Sequence, residues 1–186
     1  MANYFSDLPN LTTDRLILRK LEISDADDIF RFTSSPSITK FLTWEAHTSK
    51  KQTEEFLKGV QCKYEAGQPA QWALALRETN RVIGISGFIN FMKEHRRAEV
   101  AYILSEEYSG KGYMTEALLK ILEIGFSELN LNRIEAKCEK DNFASERVMQ
   151  KLGMDFEGLF KDFLSIKGKF NDFKFYSILK KNFQVK

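Results

Sequence analysis

The chain has 186 residues, 43% of them hydrophobic and 29% charged, with 3 prolines and 10 glycines, a balance that excludes disordered and collagen-like polymers and fits one domain over residues 1–186. Its net charge of +2 comes from 28 basic and 26 acidic residues interleaved along the chain, so no basic stripe marks a nucleic-acid partner. No apolar run approaches the roughly 18 residues of a membrane span, residues 1–11 lack the pattern of a leader, and Cys62 and Cys138 stand far apart without a C-x-x-C partner; the expectation is a cytoplasmic protein with no membrane partner, no metal and two reduced thiols.

The segment TTDRLILRKL alternates Leu16 and Leu18 against Arg15, Ile17 and Arg19, which predicts an opening strand with one buried face. SDADDIFRF offers Ser24 as an N-cap, Asp27 in capping-box position and Ile29 and Phe30 as the start of an apolar face; this helix should fail before Pro36. In TSKKQTEEFLKGVQCKYEAG, a capping hydroxyl precedes Phe56, Leu57, Val60 and Tyr64 at helical spacing, and Gly67 stops the run. QWALAL (Gln71 to Leu76) and RVIGISGFINF (Arg81 to Phe91) read as a hairpin, and RAEVAYIL supplies a further strand ending at Leu104.

After the turn SEEYSGKG, the helix YMTEALLKILEIGFSELN carries Leu118, Leu119, Leu122 and Phe126 as its stripe; its internal Gly125 costs about 1 kcal/mol relative to alanine. RIEAKCEK (Arg133 to Lys140) is a strand, NFASERVMQKLGM a helix closed by Gly153, and FKDFLSIKGKFNDFKFYSIL places a Lys-Gly turn between two aromatic-rich strands, with Phe170, Phe173, Phe175 and Tyr176 assigned to the core. The predicted class is a mixed α/β (α+β) fold: a mostly antiparallel, twisted sheet of about seven strands with four helices and one strand-helix-strand crossover.

The glycines around Lys111 lead from a strand into a helix, an arrangement that exposes backbone N–H groups and a positive dipole end to an anion such as phosphate. Two phosphate-binding patterns fit poorly. A Walker loop would need glycine where Ser105 stands and a hydroxyl where Gly112 follows the lysine. A dinucleotide fingerprint accepts Gly110 and Gly112 but meets Thr115 at its third glycine. The letters alone leave open a plain tight turn.

The same stretch, GKGYMTEAL, together with LTTDRLILRKLEISDADDIF, SPSITKFLTWEAHTS, AEVAYIL, NFASERVMQKLGMDFEG and GKFNDFKFYSIL, resembles the GNAT superfamily of acetyl-CoA-dependent N-acetyltransferases over nearly the whole chain. The likeness is to its ribosomal-protein alanine N-acetyltransferase branch. Against the family's [QR]-x-x-G-x-[GA] loop, Ser109 to Met114 keep only Gly112 strictly. The resemblance implies a GNAT fold with splayed central strands. Backbone amides of Gly110, Lys111, Gly112, Tyr113, Met114 and Thr115 would hold the pyrophosphate of coenzyme A. Val100, Ala101, Tyr102, Ile103 and Leu104 would supply backbone partners for the pantetheine arm. Lys111 is either a charge near the phosphates or a solvated side chain.

For chemistry, the resemblance makes Glu99 the candidate general base, against a plain ion pair with Arg96, Arg97 or a cation on a neighbouring strand. The family's tyrosine acid falls on Met149, which cannot donate; Ser145 of N-x-x-S is the candidate donor and Asn142 the candidate partner of a pantetheine amide, although either could simply cap a helix. A glutamate used by some relatives falls on Leu164. Trp44, His47 and Asp172 are candidates for the acceptor pocket, with a buried tryptophan, a capping histidine and a structural salt bridge as their plain readings; Asp162 and Tyr176 are further polar candidates. The expected acceptor is a primary amine, either a protein N-terminus or a small molecule, attacked directly in a ternary complex. A homodimer through the closing strands follows by analogy. The alternatives are a CoA-binding sensor without turnover and, if NAD(P) bound, an oxidoreductase.

Overall fold

The period-two segments pair into one sheet. In the computed structural model, which describes residues 4–184, the strands are β1 (Leu11–Thr12), β2 (Leu16–Arg19), β3 (Gln71–Leu76), β4 (Val82–Met92), β5 (Arg97–Leu104), β6 (Arg133–Glu139), β7 (Asp155–Ile166) and β8 (Lys169–Leu179). Their order is β1-β2-β3-β4-β5-β6-β8-β7, antiparallel throughout except between β5 and β6. This is the expected mixed, mostly antiparallel class with eight strands instead of about seven. The addition is β1, whose Leu11 and Thr12 pair with Leu18 and Ile17; two residues are too few to carry a period.

The helices are α1 (Ala26–Thr33), α2 (Pro36–Thr39), α3 (Lys50–Glu65), α4 (Tyr113–Ser127) and α5 (Phe143–Lys151), one more than expected. Pro36 does end the reach of α1, but it also opens α2 as a first-turn proline, where its missing N–H costs nothing. Ser24 does not cap α1. The chain enters through a 3-10 turn at Ile23–Asp25, closed by a reciprocal capping box between Glu22 and Asp25, and Asp25 accepts from both terminal Nη atoms of Arg19 at 2.7 and 2.8 Å. A bidentate ion pair outcompetes the weaker serine cap for this corner.

Val82 through Phe88 are buried at every position, so β4 is covered on both faces. Helix α4 lies on the face that carries Phe88, and Gly125 explains the closeness: a Cβ there would stand 2.7 Å from Ile134 Cδ1 on β6 and 2.9 Å from Phe88 Cζ on β4. The glycine that weakens the helix lets it touch strands on both sides of the sheet's centre. Helices α1 and α3 pack together, and α1 meets β4 as well. The β5–β6 pairing covers only Arg97↔Arg133, Ala98↔Ile134 and Glu99↔Glu135. Beyond Glu99 the two strands part.

The closing aromatics divide. Phe173 and Tyr176 are buried, whereas Phe175 is half-buried and Phe170 is 64% exposed, which corrects their assignment to the core. β7 is one of the two edge strands, and its Phe160 and Phe163 pack against Phe175 of β8, tilted and edge-on, at centroid separations of 4.3 and 4.9 Å. Aromatic content does not say which face of a hairpin is covered.

Candidate active site

The turn before α4 has the geometry its glycines permit. Gly110 and Gly112 take φ of +75° and +84°, left-handed values that other L-residues adopt only with strain, and Gly112 is the N-cap of α4. Among the described residues, no acceptor takes the N–H groups of Gly110 through Thr115; the first closed bond runs from Glu116 N to Gly112 O. The space beside Gly110 is open, with nothing within 4 Å of a Cβ built there.

A clamp from the first strands fixes this loop. Arg15 donates from Nε to Glu116 at 2.7 Å and from Nη1 to the Lys111 carbonyl at 3.1 Å, and its guanidinium lies 4.1 Å from the centroid of Tyr113. Glu116 also accepts from the Thr13 hydroxyl at 2.6 Å and from the Arg15 amide at 2.9 Å. Burial alone would raise the Glu116 pKa, but these donors outweigh it and hold the carboxyl below its usual range. Lys111 is exposed, with Nζ 5.6 Å from the Tyr108 ring centroid.

The parting strands supply the second component. Ser105 N donates to Ile83 O at 2.8 Å, and the antiparallel register then places Ile103 and Ala101 in hydrogen-bonded pairs with Ile85 and Gly87. By alternation, the backbone groups of Tyr102 and Leu104 and the carbonyl of Val100 turn away from β4 toward the gap left by β6, the Val100 N–H closing the last β5–β6 pair at Glu135. A cavity of about 560 Å³ joins gap and turn: its lining includes Tyr102, Ile103, Leu104, Ser109, Gly110, Gly112, Met114, Thr115, Asn142 and Ser145. Ile38 and Phe41 close it from the α2 side, and Ser37 of that helix bonds Glu106 of the turn at 2.8 Å.

Nine of the residues singled out from the sequence therefore share one cavity wall. Asn142 does cap α5, accepting from Ser145 N at 3.1 Å, which uses its oxygen and leaves Nδ2 to donate. The Ser145 hydroxyl meets the Tyr102 hydroxyl at 2.7 Å. That phenol is a functional group sequence reading missed, since Tyr102 was considered only for its backbone. The signal was the parity of β5, which puts Tyr102 on the face of Val100 and of helix α5. Burial raises the phenol pKa well above its ordinary value. Beside it on β6, burial pushes the Cys138 thiol up to about 12, and Cys62 is exposed on α3. Neither is placed as a thiolate nucleophile.

Glu99, Val100, Ala101, Lys111 and Tyr113 do not line the cavity. Glu99 sits on the opposite face of β5 from Tyr102 and is ion-paired with Lys137 of β6, while Asn90 Nδ2 donates to its other oxygen at 2.9 Å. On that face, Glu139 follows Lys137 by two residues and lines a second, polar depression of about 480 Å³ with Lys40, Lys140, Asp141, Asp162 and Asp172. Phe41 borders both hollows. Asp172 bonds Lys140 Nζ and Asp162 N, each at 3.0 Å, and the Asp162 amide first, then Lys140, lower its pKa. Trp44 is 36% exposed, not buried; it packs against His47 with centroids 5.2 Å apart. His47 bonds the Thr53 hydroxyl at 2.8 Å instead of capping a helix, Ser49 being the N-cap of α3, and burial lowers its pKa. Neither lines the two hollows. Among the described residues, no group of three or more His, Cys, Asp or Glu is placed to hold a metal ion, and no helix is long and apolar enough to cross a membrane.

Comparison with known proteins fits this geometry. A family model described as an acetyltransferase (GNAT) domain matches residues 15–155. The chain is 36% identical over 176 residues, 95% of its own length and 99% of the other's, to the uncharacterized N-acetyltransferase p20 of Bacillus licheniformis. Its structure is similar to that of a GNAT-family acetyltransferase from Bacillus anthracis, with a TM-score of 0.84 and 29% identity, covering 93% of this chain and 99% of that one. At the level of fold it also matches the ribosomal α-N-protein acetyltransferase RimL in complex with coenzyme A, with a TM-score of 0.82 and 20% identity over 92% of this chain and 98% of that one. Turn, parted strands and relatives agree: the chain belongs to the GNAT family of N-acetyltransferases.

Proposed function

We propose that the protein transfers an acetyl group from acetyl-CoA to a primary amine by direct attack in a ternary complex, with an α-amino group such as a protein N-terminus ahead of a small-molecule amine. The observation that carries this reading is the single cavity that runs from the unpaired amides of the turn to the strand gap and Ser145. These residues fit coenzyme A: the N–H groups of Gly110 through Thr115 and the N-terminus of α4 would take its pyrophosphate. The gap-facing backbone of Tyr102 and Leu104, the Val100 carbonyl at the point where the strands part, and Nδ2 of Asn142 would take the amides of its arm. Bound there, the cosubstrate supplies an acyl group on a thiol leaving group. That RimL was captured with coenzyme A on the same fold supports the assignment.

The protein's own groups divide the proton work across the sheet. On the cavity face, the Ser145 hydroxyl is directed to the departing sulfur. On the other face, Glu99 takes the amine proton, directly or through water, and the second depression admits the acceptor past Phe41. Both Glu99 oxygens are already engaged, one by Lys137 and one by Asn90 Nδ2, so the reaction can ask little of this base. A weak base suits an α-amine of pKa about 7.7–8.0, roughly a tenth of which is already neutral at pH 7; a lysine near 10.4 is neutral less than about one time in a thousand.

Calorimetric titration with acetyl-CoA, with ATP and NADPH as controls, tests the cofactor half, and mass spectrometry of an amine panel tests the rest. Saturable binding to acetyl-CoA alone, and acetylation of N-terminal α-amines ahead of lysine side chains, is the expected result. Absence of acetyl-CoA binding overturns the reading.

A further inference from the structure

The Tyr102 hydroxyl makes two contacts with Ser145 and can donate in only one of them. The Tyr102 hydroxyl has one proton and two acceptors within reach on the same residue, Ser145 Oγ at 2.7 Å and the Ser145 carbonyl at 3.1 Å. The carbonyl can only accept. If the phenol donates to it, the short contact must be filled by the Ser145 proton, which then points at Tyr102 and away from the cavity. If the phenol donates to Oγ, the Ser145 proton is released to another acceptor, either the Cys138 sulfur beside it or a group in the cavity, and a thiolate there is the stronger acceptor of the two. The distances favour the second arrangement, since 2.7 Å is the usual O–H···O length and 3.1 Å lies beyond its normal range.

We propose that Tyr102 is a positioning residue that, by donating to Ser145 Oγ, turns the Ser145 hydroxyl proton into the cavity to stabilise a thiolate leaving group. This rests on the acetyl-transfer reading above. In that reaction the amine nitrogen bonds the acyl carbon, the carbon–sulfur bond breaks, and its electron pair goes to sulfur. The proton lost by nitrogen passes to Glu99 or water. Ser145 and Tyr102 each keep their own proton, forming a two-link donor chain to the sulfur in the manner of an oxyanion hole. The buried phenol, whose pKa lies far above the roughly 8.5 of an ordinary thiol, is suited to donating a hydrogen bond and unsuited to surrendering the proton. The chain thus replaces the tyrosine acid whose position is held by Met149.

Coenzyme A itself is the probe, so no acceptor need be known. Its thiol is titrated on the full chain by the ultraviolet absorbance of the thiolate, in wild type, Ser145→Ala, Tyr102→Phe and the double variant, with thermal unfolding as a check on folding. Wild type is expected to shift the thiol–thiolate equilibrium about tenfold toward thiolate relative to free coenzyme A. Ser145→Ala should abolish most of that shift, Tyr102→Phe should do nearly the same, and the double variant should add nothing further. A shift that survives Tyr102→Phe overturns the positioning role. An unshifted thiol in wild type, or a shift untouched by Ser145→Ala, overturns the inference even if Tyr102→Phe does not fold. Failure of wild type to bind coenzyme A overturns the function proposed above and this inference with it, whereas binding with an unshifted thiol overturns the inference alone.

Discussion

On the face of the sheet that carries Tyr102 and Ser145, the hollow beside the β5–β6 gap takes many of its polar groups from backbone, from two left-handed glycines, the first turn of α4, and strand groups left over where β6 turns away, with Ile38, Phe41, Leu42 and Val148 as its apolar rim. On the opposite face, the hollow beyond Glu99 is walled by charged side chains from β6, the β7–β8 hairpin and the segment after α2. Backbone presents the same groups whatever the sequence, so it suits a partner that never changes, such as a shared cosubstrate. Side chains can be exchanged one by one without disturbing the ladder, so they suit the partner that distinguishes one family member from another.

The sharpest way to break this contrast is Gly112→Val. At φ +84° a β-branched residue is strained by about 1–3 kcal/mol, although its Cβ would meet only Arg15 Nη2, at an ordinary 3.5 Å. Acetyl-CoA affinity should fall by about 10- to 100-fold by calorimetry, because the backbone wall is what changes.

A smaller effect separates what builds the wall from what touches the ligand. Glu116 anchors the turn and its folded-state pKa is lowered, so its contribution to stability is complete above the unfolded carboxyl pKa of about 4.3 and is lost as pH falls through the folded value. Glu116→Gln should therefore lower the melting temperature by a few degrees at pH 7, and the difference from wild type should shrink once the pH falls under the unfolded carboxyl value and vanish only below the lowered folded one. Smallest of all for the cofactor should be Asp172→Asn, which alters only the far hollow. Acetyl-CoA affinity should stay within about twofold of wild type, while KM for the acceptor changes.

The same contrast governs what could be read from the letters. β5 runs from Arg97 to Leu104, the bounds the pattern RAEVAYIL suggests, and the glycines flanking Lys111 read as a turn that leads into a helix, which is where they stand, because both signals are local. Pro36 was legible as a breaker but not as the start of α2, since a proline that ends one helix and one that begins the next look alike until the chain's direction is known. Phe170 reads as core and lies 64% exposed. Its burial depends on what covers the hairpin, which no period encodes. The Tyr102–Ser145 contact joins residues 43 apart, and Glu99 finds its cation on β6. Both are consequences of the one parallel pairing in the sheet.

That pairing makes the sheet continuous in topology and nearly divided in mechanics. Three ladder pairs and the ion pairs Arg97–Glu135 and Glu99–Lys137 join the half that holds β1 to β5 to the half that holds β6 to β8, and α4, drawn in at Gly125, laps the joint like a splint between Phe88 on one side and Ile134 on the other. A guest that threads amides of its own into the gap completes the interrupted ladder as a strand would. Occupancy and cohesion become one property, and amide exchange at Tyr102 and Leu104 is where the two can be read together.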